Sequence, residues 1–346
     1  MKVLLYEQNA KMQKRSGIGR ALRHQKKALE LNGVESTFNP KEKYDFVHVN
    51  SSFAHTYRFV KQLQKKNIPV VIHGHSTYED FRESFRLWKL IEPWFDRNLT
   101  RLYGIADYII TPTPYSKKLI ENYSCTKCPV EAISNGIMLE DYAPSVEKVK
   151  KYKEYFGIKE NEKVVIGIGL LFKRKGLHDF IEVAKKMPHI KFIWFGSLQK
   201  ILCTREINNA IKNRPNNVIM PGYIDGDVIK GALQGADLFF FPSYEETEGI
   251  VVLEALASRI PLLIRDIPVY EDWLENGKDC YKGKSNEEFI ELIDKILLSD
   301  NTNVIENGYK IAQKRDIKIV GEQLINTYKM VIDITERKTN YGKKNI

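Results

Sequence analysis

The feature that most constrains the fold of this chain is an alternation of short apolar runs with helical patterns, which occurs twice. In the first half the apolar runs are KVLLY, DFVHVN, PVVIHGH and DYIITPT, each followed by a helical pattern. The alternation restarts at KVVIGIG (163–169) and continues through KFIWFG, NVIMPGYI, DLFFFPS and PLLIRD. Uniformly apolar strands joined by helices are typical of a parallel sheet that helices cover on both faces. The sequence therefore predicts two doubly wound α/β domains, which fits a length of 346 residues.

The lengths of the apolar runs also limit where in the cell the chain can be located. None approaches the roughly 18 residues that a membrane-spanning helix needs. The start, MKVLLYEQNA, has only a brief apolar stretch before Glu7 and no small-residue cleavage site of a signal peptide. Four cysteines in a chain of this length do not make a disulfide framework. We therefore expect a cytoplasmic protein, with zinc or redox chemistry at the single CxxC pair, Cys125 and Cys128, as an open alternative.

Basic residues concentrate in the first part of the chain. Residues 1–100 hold 18 Lys and Arg against 10 Asp and Glu, whereas residues 201–300 hold 10 against 18, within a net charge of +10. A basic N-terminal half suits an anionic surface, and charge alone does not decide between phospholipid headgroups and nucleic acid.

Parallel sheets bind ligands beyond the carboxyl ends of their strands, so the loops after strands are the places to search. After the first strand, Gly17 and Gly19 open a helix whose backbone amides could meet a phosphate or sugar, although a glycine turn explains the same spacing. After the third strand, His75 is placed to face a ligand, while His73 fits a packing role.

The second half contains the sharper motifs. FKRKG places Arg174 and Lys175 after a strand, where they could neutralise a nucleotide diphosphate, although adjacent cations usually form a solvated loop. FPSYEETEGIVVLEALASRIP places Glu246 before a helix and Glu254 one turn into it, so both carboxylates could accept hydrogen bonds from ligand hydroxyls. The DGD pattern at 225–227 precedes a helix, which favours helix capping over a metal site.

The combined order of these motifs resembles a known family. PSYEETEGIVVLEALASRIP is similar to the E-x7-E signature of retaining glycosyltransferases of family four, which have the GT-B fold of two Rossmann-like domains facing a cleft. SGIGRA resembles the family's glycine loop, HGHS its histidine segment, SNGI its NG turn, FKRKG its phosphate-binding segment and ADLFFFPS the strand before the signature. The resemblance implies a UDP-sugar-dependent hexosyltransferase that uses no metal and no other cofactor.

The resemblance also implies roles for individual residues. Glu246 would contact hydroxyls of the donor sugar, and Glu254 would contact the ribose. Arg174 and Lys175 would neutralise the diphosphate, and His75 would contact the donor sugar beside the reacting carbon. The implied catalytic set is His75, Glu246, Lys175 and Arg174. The implied donor-binding residues are Gly17, Gly19, Gly169, Gly196, Glu248, Gly249, Ile250 and Glu254.

Two positions depart from the family pattern. Many members carry an arginine directly after the glycine that Gly169 matches, and this chain has Leu170, which leaves more of the diphosphate to Arg174. The aromatic residue often found two positions after the first signature glutamate is replaced by Glu248. This acid could bind the sugar or the acceptor, or favour the start of the following helix.

The segment from Phe81 to Tyr103, FRESFRLWKLIEPWFDRNLTRLY, is predicted as a basic amphipathic helix that is kinked or split at Pro93. Such a helix suits contact with anionic lipid, whereas packing on its own sheet explains the apolar side without lipid. Its expected apolar stripe is Phe81, Phe85, Trp88, Phe95, Leu99 and Leu102. Charge in the same domain comes from Lys11, Lys14, Arg15, Arg20, Arg23, Lys26 and Lys27. The predicted acceptor and membrane residues are Phe81, Arg82, Phe85, Arg86, Trp88, Lys89, Trp94 and Phe95.

STYEDFRESF, which follows HGH, resembles a segment of bacterial glucosyltransferases that act on diacylglycerol. The short length and the segment ETEGIVVLEALAS resemble in particular the diglycosyldiacylglycerol synthases. This resemblance implies transfer of glucose or galactose from a UDP-sugar to monoglucosyldiacylglycerol at the inner membrane face, giving a lipid used as a lipoteichoic acid anchor. It favours front-face substitution, and no nucleic-acid partner is expected. The predicted organisation is an acceptor and membrane domain (1–145), a nucleotide-sugar domain (146–318), a helix packing back on the first domain (319–335) and a polar tail (336–346).

Three alternatives stay open at this point. A glycosyltransferase for capsule or other surface polysaccharide on a polyprenyl carrier would show transfer without dependence on diacylglycerol. A nucleotide-sugar 2-epimerase would use the same architecture without an acceptor. A non-catalytic membrane- or nucleic-acid-binding module would keep the fold as a scaffold, and the Glu246 and Glu254 pair argues against it.

Overall fold

Two six-stranded parallel sheets organise the chain in the computed structural model, which describes residues 1–8 and 17–344. The predicted α/β fold with two doubly wound domains is confirmed, because every strand pairing in both sheets is parallel. Contacts within the chain divide it into two units. Unit 1 comprises residues 1–80, 89–136 and 315 onward, and unit 2 comprises residues 81–88 and 137–314.

The sheet of unit 1 has the strand order β2-β1-β3-β4-β5-β6. Its strands are β1 (Lys2–Tyr6), β2 (Glu35–Thr37), β3 (Phe46–Val49), β4 (Val70–His73), β5 (Ile109–Thr111) and β6 (Val130–Ala132). Its helices are α1 (Gly17–Leu31), α2 (Ala54–Lys65), α3 (Tyr78–Phe81, where the chain passes into unit 2), α4 (Trp88–Gly104), α5 (Pro114–Asn122) and α13 (Ile317–Lys344).

The sheet of unit 2 has the order β12-β11-β10-β7-β8-β9. Its strands are β7 (Val164–Ile168), β8 (Lys191–Phe195), β9 (Val218–Gly222), β10 (Leu238–Phe241), β11 (Leu262–Arg265) and β12 (Tyr281–Gly283). Its helices are α6 (Val146–Phe156), α7 (Leu177–Lys186), α8 (Arg205–Lys212), α9 (Asp227–Gly235), α10 (Ile250–Ala257), α11 (Asn286–Leu298) and α12 (Thr302–Gln313), with 3-10 turns at Leu139–Tyr142, Lys173–Lys175 and Pro268–Tyr270.

Alternation along the strands explains why helices cover both faces of the unit 1 sheet. Successive side chains of a strand point to opposite faces. Val3 and Leu5 belong to one apolar cluster, and Leu4 between them belongs to another. Because both clusters are buried, the strands are apolar throughout, which is the signal that the sequence carries.

The last helix, α13, completes the first of these clusters. Its residues Val320, Leu324 and Tyr328 are buried together with Leu22 and Leu29 of α1. The helix also includes residues 336–344, where the sequence analysis expected a polar tail, since Glu, Arg and Lys are good helix formers. Unit 1 therefore contains both the first and the last helix that the structure describes.

The amphipathic helix predicted from Phe81 to Tyr103 is interrupted before Pro93. Helix α3 ends at Phe81 and α4 starts at Trp88, and α4 continues through Pro93, which removes one backbone hydrogen bond without ending the helix. Between the two helices, Glu83 (φ 54°) and Leu87 (φ 63°) have left-handed backbone, which a right-handed helix excludes.

The predicted apolar stripe is therefore not one continuous surface. Leu99 and Leu102 are buried in the core of unit 1, whereas Phe81, Phe85 and Trp88 belong to unit 2. The stripe requires a single helix, and the six residues between α3 and α4 change the phase of the second helix relative to the first.

Helices α6 and α9 pack through a glycine contact, which generates a test of the fold. A methyl group on Gly231 would lie 2.0 Å from the carbonyl oxygen of Lys148, so α9 would have to move. We expect Gly231→Ala to lower the free energy of unfolding by about 2 to 3 kcal/mol. The matched control is Gly104→Ala, whose methyl group would meet nothing closer than 3.6 Å. Thermal unfolding should show a lower Tm for Gly231→Ala alone, and equal values for both variants would contradict this packing.

Candidate functional site

The loops that follow β7 and β10 bring Arg174, Lys175 and Glu246 together in unit 2. Lys175 Nζ donates a hydrogen bond to Glu246 Oε1 at 2.5 Å, and Arg174 Nη1 lies 3.8 Å from the same oxygen. The hydroxyl of Ser243 donates to it at 2.7 Å. Only 5% of Glu246 is exposed, so the structure holds a buried carboxylate between two cations.

The protonation state of Glu246 follows from these neighbours. Burial by itself would raise the pKa of Glu246, but the charges of Lys175 and Arg174 and the hydrogen bonds from Lys175 and Ser243 outweigh it, and the net pKa lies below the ordinary value. The carboxylate is therefore ionised at neutral pH. In this form it only accepts hydrogen bonds, as recognition of ligand hydroxyls requires.

The loop that carries Arg174 and Lys175 packs against the residues that follow β10. Gly176 has left-handed backbone (φ 74°), and a Cβ there would lie 2.1 Å from the carbonyl oxygen of Pro242. The backbone oxygen of Arg174 accepts a hydrogen bond from Tyr244 N at 2.7 Å, and Ser243 Oγ lies 3.1 Å from the same oxygen. The two loops therefore keep a fixed separation, which sets the distance between the cations and Glu246.

A buried ion pair supports the same loop from beneath. Arg265 Nη2 donates to Asp179 Oδ2 at 2.7 Å, and Arg265 Nε donates to the carbonyl oxygen of Pro242 at 3.1 Å. Tyr244 adds a third contact, because its hydroxyl donates to Asp179 at 2.7 Å. No motif in the sequence identifies these residues. The one available signal was the charged Arg265 at the end of the apolar run PLLIRD.

The second signature glutamate, Glu254, lies inside α10 and is buried. Tyr142, which the sequence analysis did not identify, donates its hydroxyl to Glu254 Oε1 at 2.8 Å. Glu248 is also buried, and Ile250 is the first residue of α10 after Gly249. The structure thus places the signature residues around one helix start.

Gly169 and Gly196 lie at the ends of β7 and β8 and touch through their backbones. Gly196 has a φ of 143°, and a Cβ there would lie 1.9 Å from the carbonyl oxygen of Gly169. The same oxygen accepts a hydrogen bond from Trp194 Nε1 at 3.0 Å. A side chain at position 196 is therefore excluded.

Residues 82–87 lie between two helices, and Glu83 and Ser84 contact the loop that carries the cations. Arg174 Nε donates to Ser84 Oγ at 3.0 Å, and Arg174 Nη1 donates to the carbonyl oxygen of Glu245 at 2.8 Å. Lys173 Nζ lies 3.3 Å from a carboxylate oxygen of Glu83. The predicted membrane residues Phe81, Arg82, Phe85, Arg86 and Trp88 therefore belong to unit 2, and Lys89, Trp94 and Phe95 belong to unit 1.

In unit 1, His75 follows β4, and its ring stacks on that of His73 with centroids 3.8 Å apart. His75 Nε2 lies 2.7 Å from Asn50 Oδ1. Burial lowers the pKa of His75 to about 3, so its ring is neutral at pH 7. These residues line a small polar cavity together with Ser52 and Ser76.

The glycine loop of the sequence analysis is described only in part. Gly17 is the exposed first residue of α1, and Gly19, two residues further on, is buried. Ser16 and the predicted basic residues Lys11, Lys14 and Arg15 lie outside the described residues. The remaining basic residues of that cluster, Arg20, Arg23, Lys26 and Lys27, are on α1.

The predicted helix capping at 225–227 is wrong. Gly226 occupies the cap position of α9 without a side-chain hydrogen bond, and Asp227 instead pairs with Lys151 at 2.8 Å.

Burial raises the pKa of the Cys128 thiol to about 11, which keeps it protonated at neutral pH. Within the described ranges, no group of three or more His, Cys, Asp or Glu residues could hold a metal ion.

The sequence and the fold of this chain are similar to those of known glycosyltransferases. The family described as "Glycosyl transferases group 1" matches residues 148–311, and "Glycosyltransferase Family 4" matches residues 17–141. A processive diacylglycerol alpha-glucosyltransferase of Acholeplasma laidlawii is 57% identical over 334 residues, which cover 96% of this chain and 99% of the relative. An alpha-galactosylglucosyldiacylglycerol synthase of Streptococcus pneumoniae is 27% identical over 72% of this chain and 66% of the relative. Anabaena HepE, solved with UDP-glucose, has the same fold (TM-score 0.77, 18% identity, 95% of this chain and 100% of that chain).

The ion pair at Glu246 predicts a specific pH dependence of stability. Because the pKa of Glu246 in the folded chain lies below its ordinary value of 4.5, the stabilisation is complete above that pH and is lost as the pH falls through the folded pKa. Lys175→Met should therefore unfold at a lower temperature than the wild type at pH 7. The difference in Tm should shrink as the pH falls from about 5 to about 3.

Exposed Lys186 supplies the matched control. Lys186→Met should show no pH-dependent difference from the wild type over the same range. A Tm difference for Lys175→Met that stays constant from pH 7 to pH 3 would show that the lysine does not stabilise the ionised form of Glu246.

Proposed function

We propose that this chain, which belongs to the glycosyltransferases of group 1 and family 4, transfers glucose from UDP-glucose to monoglucosyldiacylglycerol. In the preceding step of this proposal, diacylglycerol is the acceptor. The observation that carries the proposal is the 57% identity to a processive diacylglycerol alpha-glucosyltransferase over nearly the whole chain. Processive transfer to diacylglycerol includes a glucosylated lipid as the second acceptor. The product is a dihexosyldiacylglycerol.

The geometry in unit 2 supports the donor half of this proposal. The ionised Glu246 is suited to accept hydrogen bonds from sugar hydroxyls, and Arg174 and Lys175 beside it are suited to meet the diphosphate. As the bond to the sugar breaks, negative charge grows on the leaving diphosphate, and fixed cations stabilise that charge more in the transition state than in the ground state. In this proposal the positive charge comes from the side chains rather than from a metal ion.

Retention of configuration is proposed to follow from the leaving group itself. The diphosphate oxygen accepts the proton of the attacking hydroxyl on the same face of the sugar, so that the new bond forms where the old one breaks. Glu254, with one oxygen held by Tyr142, contacts the ribose. His75 contacts the donor sugar through its neutral ring.

The transfer reaction is tested directly in anionic mixed micelles that contain diacylglycerol or monoglucosyldiacylglycerol. We expect glucose from UDP-glucose, and not galactose from UDP-galactose, to appear in the lipid. Glu246→Gln should lower kcat/KM by about tenfold to a hundredfold, since it removes a charged hydrogen-bond acceptor from the sugar.

The exposed Glu271→Gln is the control for the same chemical change elsewhere in unit 2. Equal loss of transfer in both variants would remove Glu246 from the donor site. Transfer to a polyprenyl-linked acceptor alone, or consumption of a UDP-sugar without any acceptor, would overturn the lipid assignment.

Helix α4 supports the proposed membrane contact. Leu90 is 75% exposed, Ile91 40% and Trp94 49%, and these three residues lie within an arc of about 100° on the helix. Exposed Arg97 and Arg101 follow on the same side at helical spacing. Exposed apolar side chains beside arginines are what binding to an anionic lipid surface requires.

No helix in the described part of the chain combines the length and the apolar character needed to cross a bilayer. We therefore propose peripheral binding at the inner membrane face through α4.

A negative charge introduced on this face tests the proposal. Leu90→Glu should lower binding to vesicles of anionic lipid by about tenfold or more, because it removes an apolar side chain from the lipid boundary and adds a repelled charge. Leu298→Glu is the matched control, since Leu298 is 90% exposed on a helix of unit 2. Co-sedimentation with vesicles measures both variants. Equal binding of Leu90→Glu and the wild type would show that α4 does not contact the membrane.

A further inference from the structure

A network of buried amide and imidazole groups lies at the carboxyl ends of β3 and β4 in unit 1, and the proposed reaction assigns a role only to its member His75. Asn50, His48 and His73 are buried, as is Gln25 on α1. Hydrogen bonds connect all five residues. One group sets the direction of each of these hydrogen bonds.

That group is the amide of Asn50. Its Nδ2 lies 3.3 Å from the carbonyl oxygen of His48, which can only accept, so Nδ2 must be the donor. The other end of the amide, Oδ1, therefore faces Gln25 Nε2 at 2.9 Å and His75 Nε2 at 2.7 Å. Since an amide oxygen only accepts, His75 must carry its proton on Nε2.

The orientation of Gln25 follows from the same oxygen. The reverse orientation would place two amide oxygens 2.9 Å apart, so the NH2 group of Gln25 must face Asn50. This NH2 group also lies 3.1 Å from His73 Nδ1, which is therefore an acceptor. His48 Nε2 lies 3.0 Å from the same nitrogen and must carry a proton, so two donors share the single lone pair of His73 Nδ1. His48 Nδ1 accepts from the hydroxyl of Tyr328 at 2.6 Å.

Each of the three rings carries a single proton. Burial lowers the pKa values of His48 and His75 to about 3 and that of His73 well below its ordinary value, and the neighbouring rings add to the effect for His48 and His73. A neutral ring has one donor and one acceptor nitrogen. His75 is thus left with a lone pair on Nδ1, and His73 with a proton on Nε2.

These two nitrogens have complementary hydrogen-bonding character. His73 Nε2 is buried and makes no hydrogen bond with any residue that the structure describes. Both rings line the small cavity described above, which has room for a group about the size of one water molecule. An acceptor and a donor beside one small cavity suit a single hydroxyl group, which donates to one nitrogen and accepts from the other.

We propose that Asn50 is a positioning residue of the transfer reaction, which holds His75 in the Nε2-protonated form so that Nδ1 accepts a hydrogen bond from a substrate hydroxyl. This inference rests on the proposed function for its substrate, but the protonated nitrogen is a property of the chain alone. Without Asn50 Oδ1, His75 would populate both neutral forms, and the form with a proton on Nδ1 could not accept from a hydroxyl.

The experiment is long-range proton–nitrogen NMR of the full chain labelled with 15N-histidine at pH 7.5, with His75 assigned by the signals lost in His75→Gln. The correlation pattern distinguishes Nδ1 from Nε2 and shows which carries the proton. In the wild type we expect Nε2 to be protonated. In Asn50→Ala we expect averaged signals for His75 and a loss of about three- to tenfold in kcat, which corresponds to one hydrogen bond.

Tyr328→Phe is the matched control, because it removes a hydrogen bond from the far end of the same network without touching Asn50. Its His75 signals and its transfer rate should match those of the wild type, even if its Tm is lower. A proton on Nδ1 of His75 in the wild type would overturn the proposal, and so would an unchanged His75 pattern in Asn50→Ala. If Asn50→Ala does not fold, the wild-type spectrum alone decides. Because the spectrum needs no substrate, failure of the glucosyl transfer assay is distinguishable from failure of this inference.

Discussion

The carboxylate of Glu246, buried between Lys175 and Arg174, is the interaction on which the geometry of unit 2 depends. Removing one partner of a buried ion pair typically costs about 3 to 5 kcal/mol, because a charge is left without compensation. Neighbouring groups hold both sides of this ion pair in place. Ser243 donates a hydrogen bond to the carboxylate, and the loop that carries the cations packs against Pro242. A sugar nucleotide that contacts these side chains would meet groups whose positions are already set, so that little ordering accompanies binding.

The sequence allowed prediction of the sheets and of the cluster at Glu246, and it did so for a physical reason. Apolar strands alternating with helices leave few arrangements other than a covered parallel sheet, and the loops after parallel strands meet at one edge. The residues of FKRKG and of the E-x7-E signature therefore had to lie close together. Arg265 and Asp179 could not be found in this way, because their pairing depends on side-chain directions within a packed core.

The segment between α3 and α4 shows where reasoning from periodicity fails. Glu83 and Leu87 have left-handed backbone, although neither is glycine or asparagine, so their types gave no sign of a break. Once the helix is broken, Leu90, Ile91 and Trp94 form the exposed apolar face, and the predicted stripe is divided between a buried core and unit 2. The role of Asn50 was not predictable from the sequence for a different reason. Its role depends on contacts with residues 25 positions away on either side, and an isolated Asn after a strand carries no motif.

The division of the chain between the two units has a consequence for its biosynthesis. The ribosome releases residues in order, and domains generally fold as units once their residues have emerged. Unit 2 needs nothing beyond residue 314, whereas unit 1 includes α13, whose Val320, Leu324 and Tyr328 fill the core beside α1. Until that last helix emerges, α1 covers only part of the apolar face that the first strands of the chain carry. The part of the protein that is made first is therefore the part that finishes folding last, and its apolar face stays partly exposed to solvent during that interval.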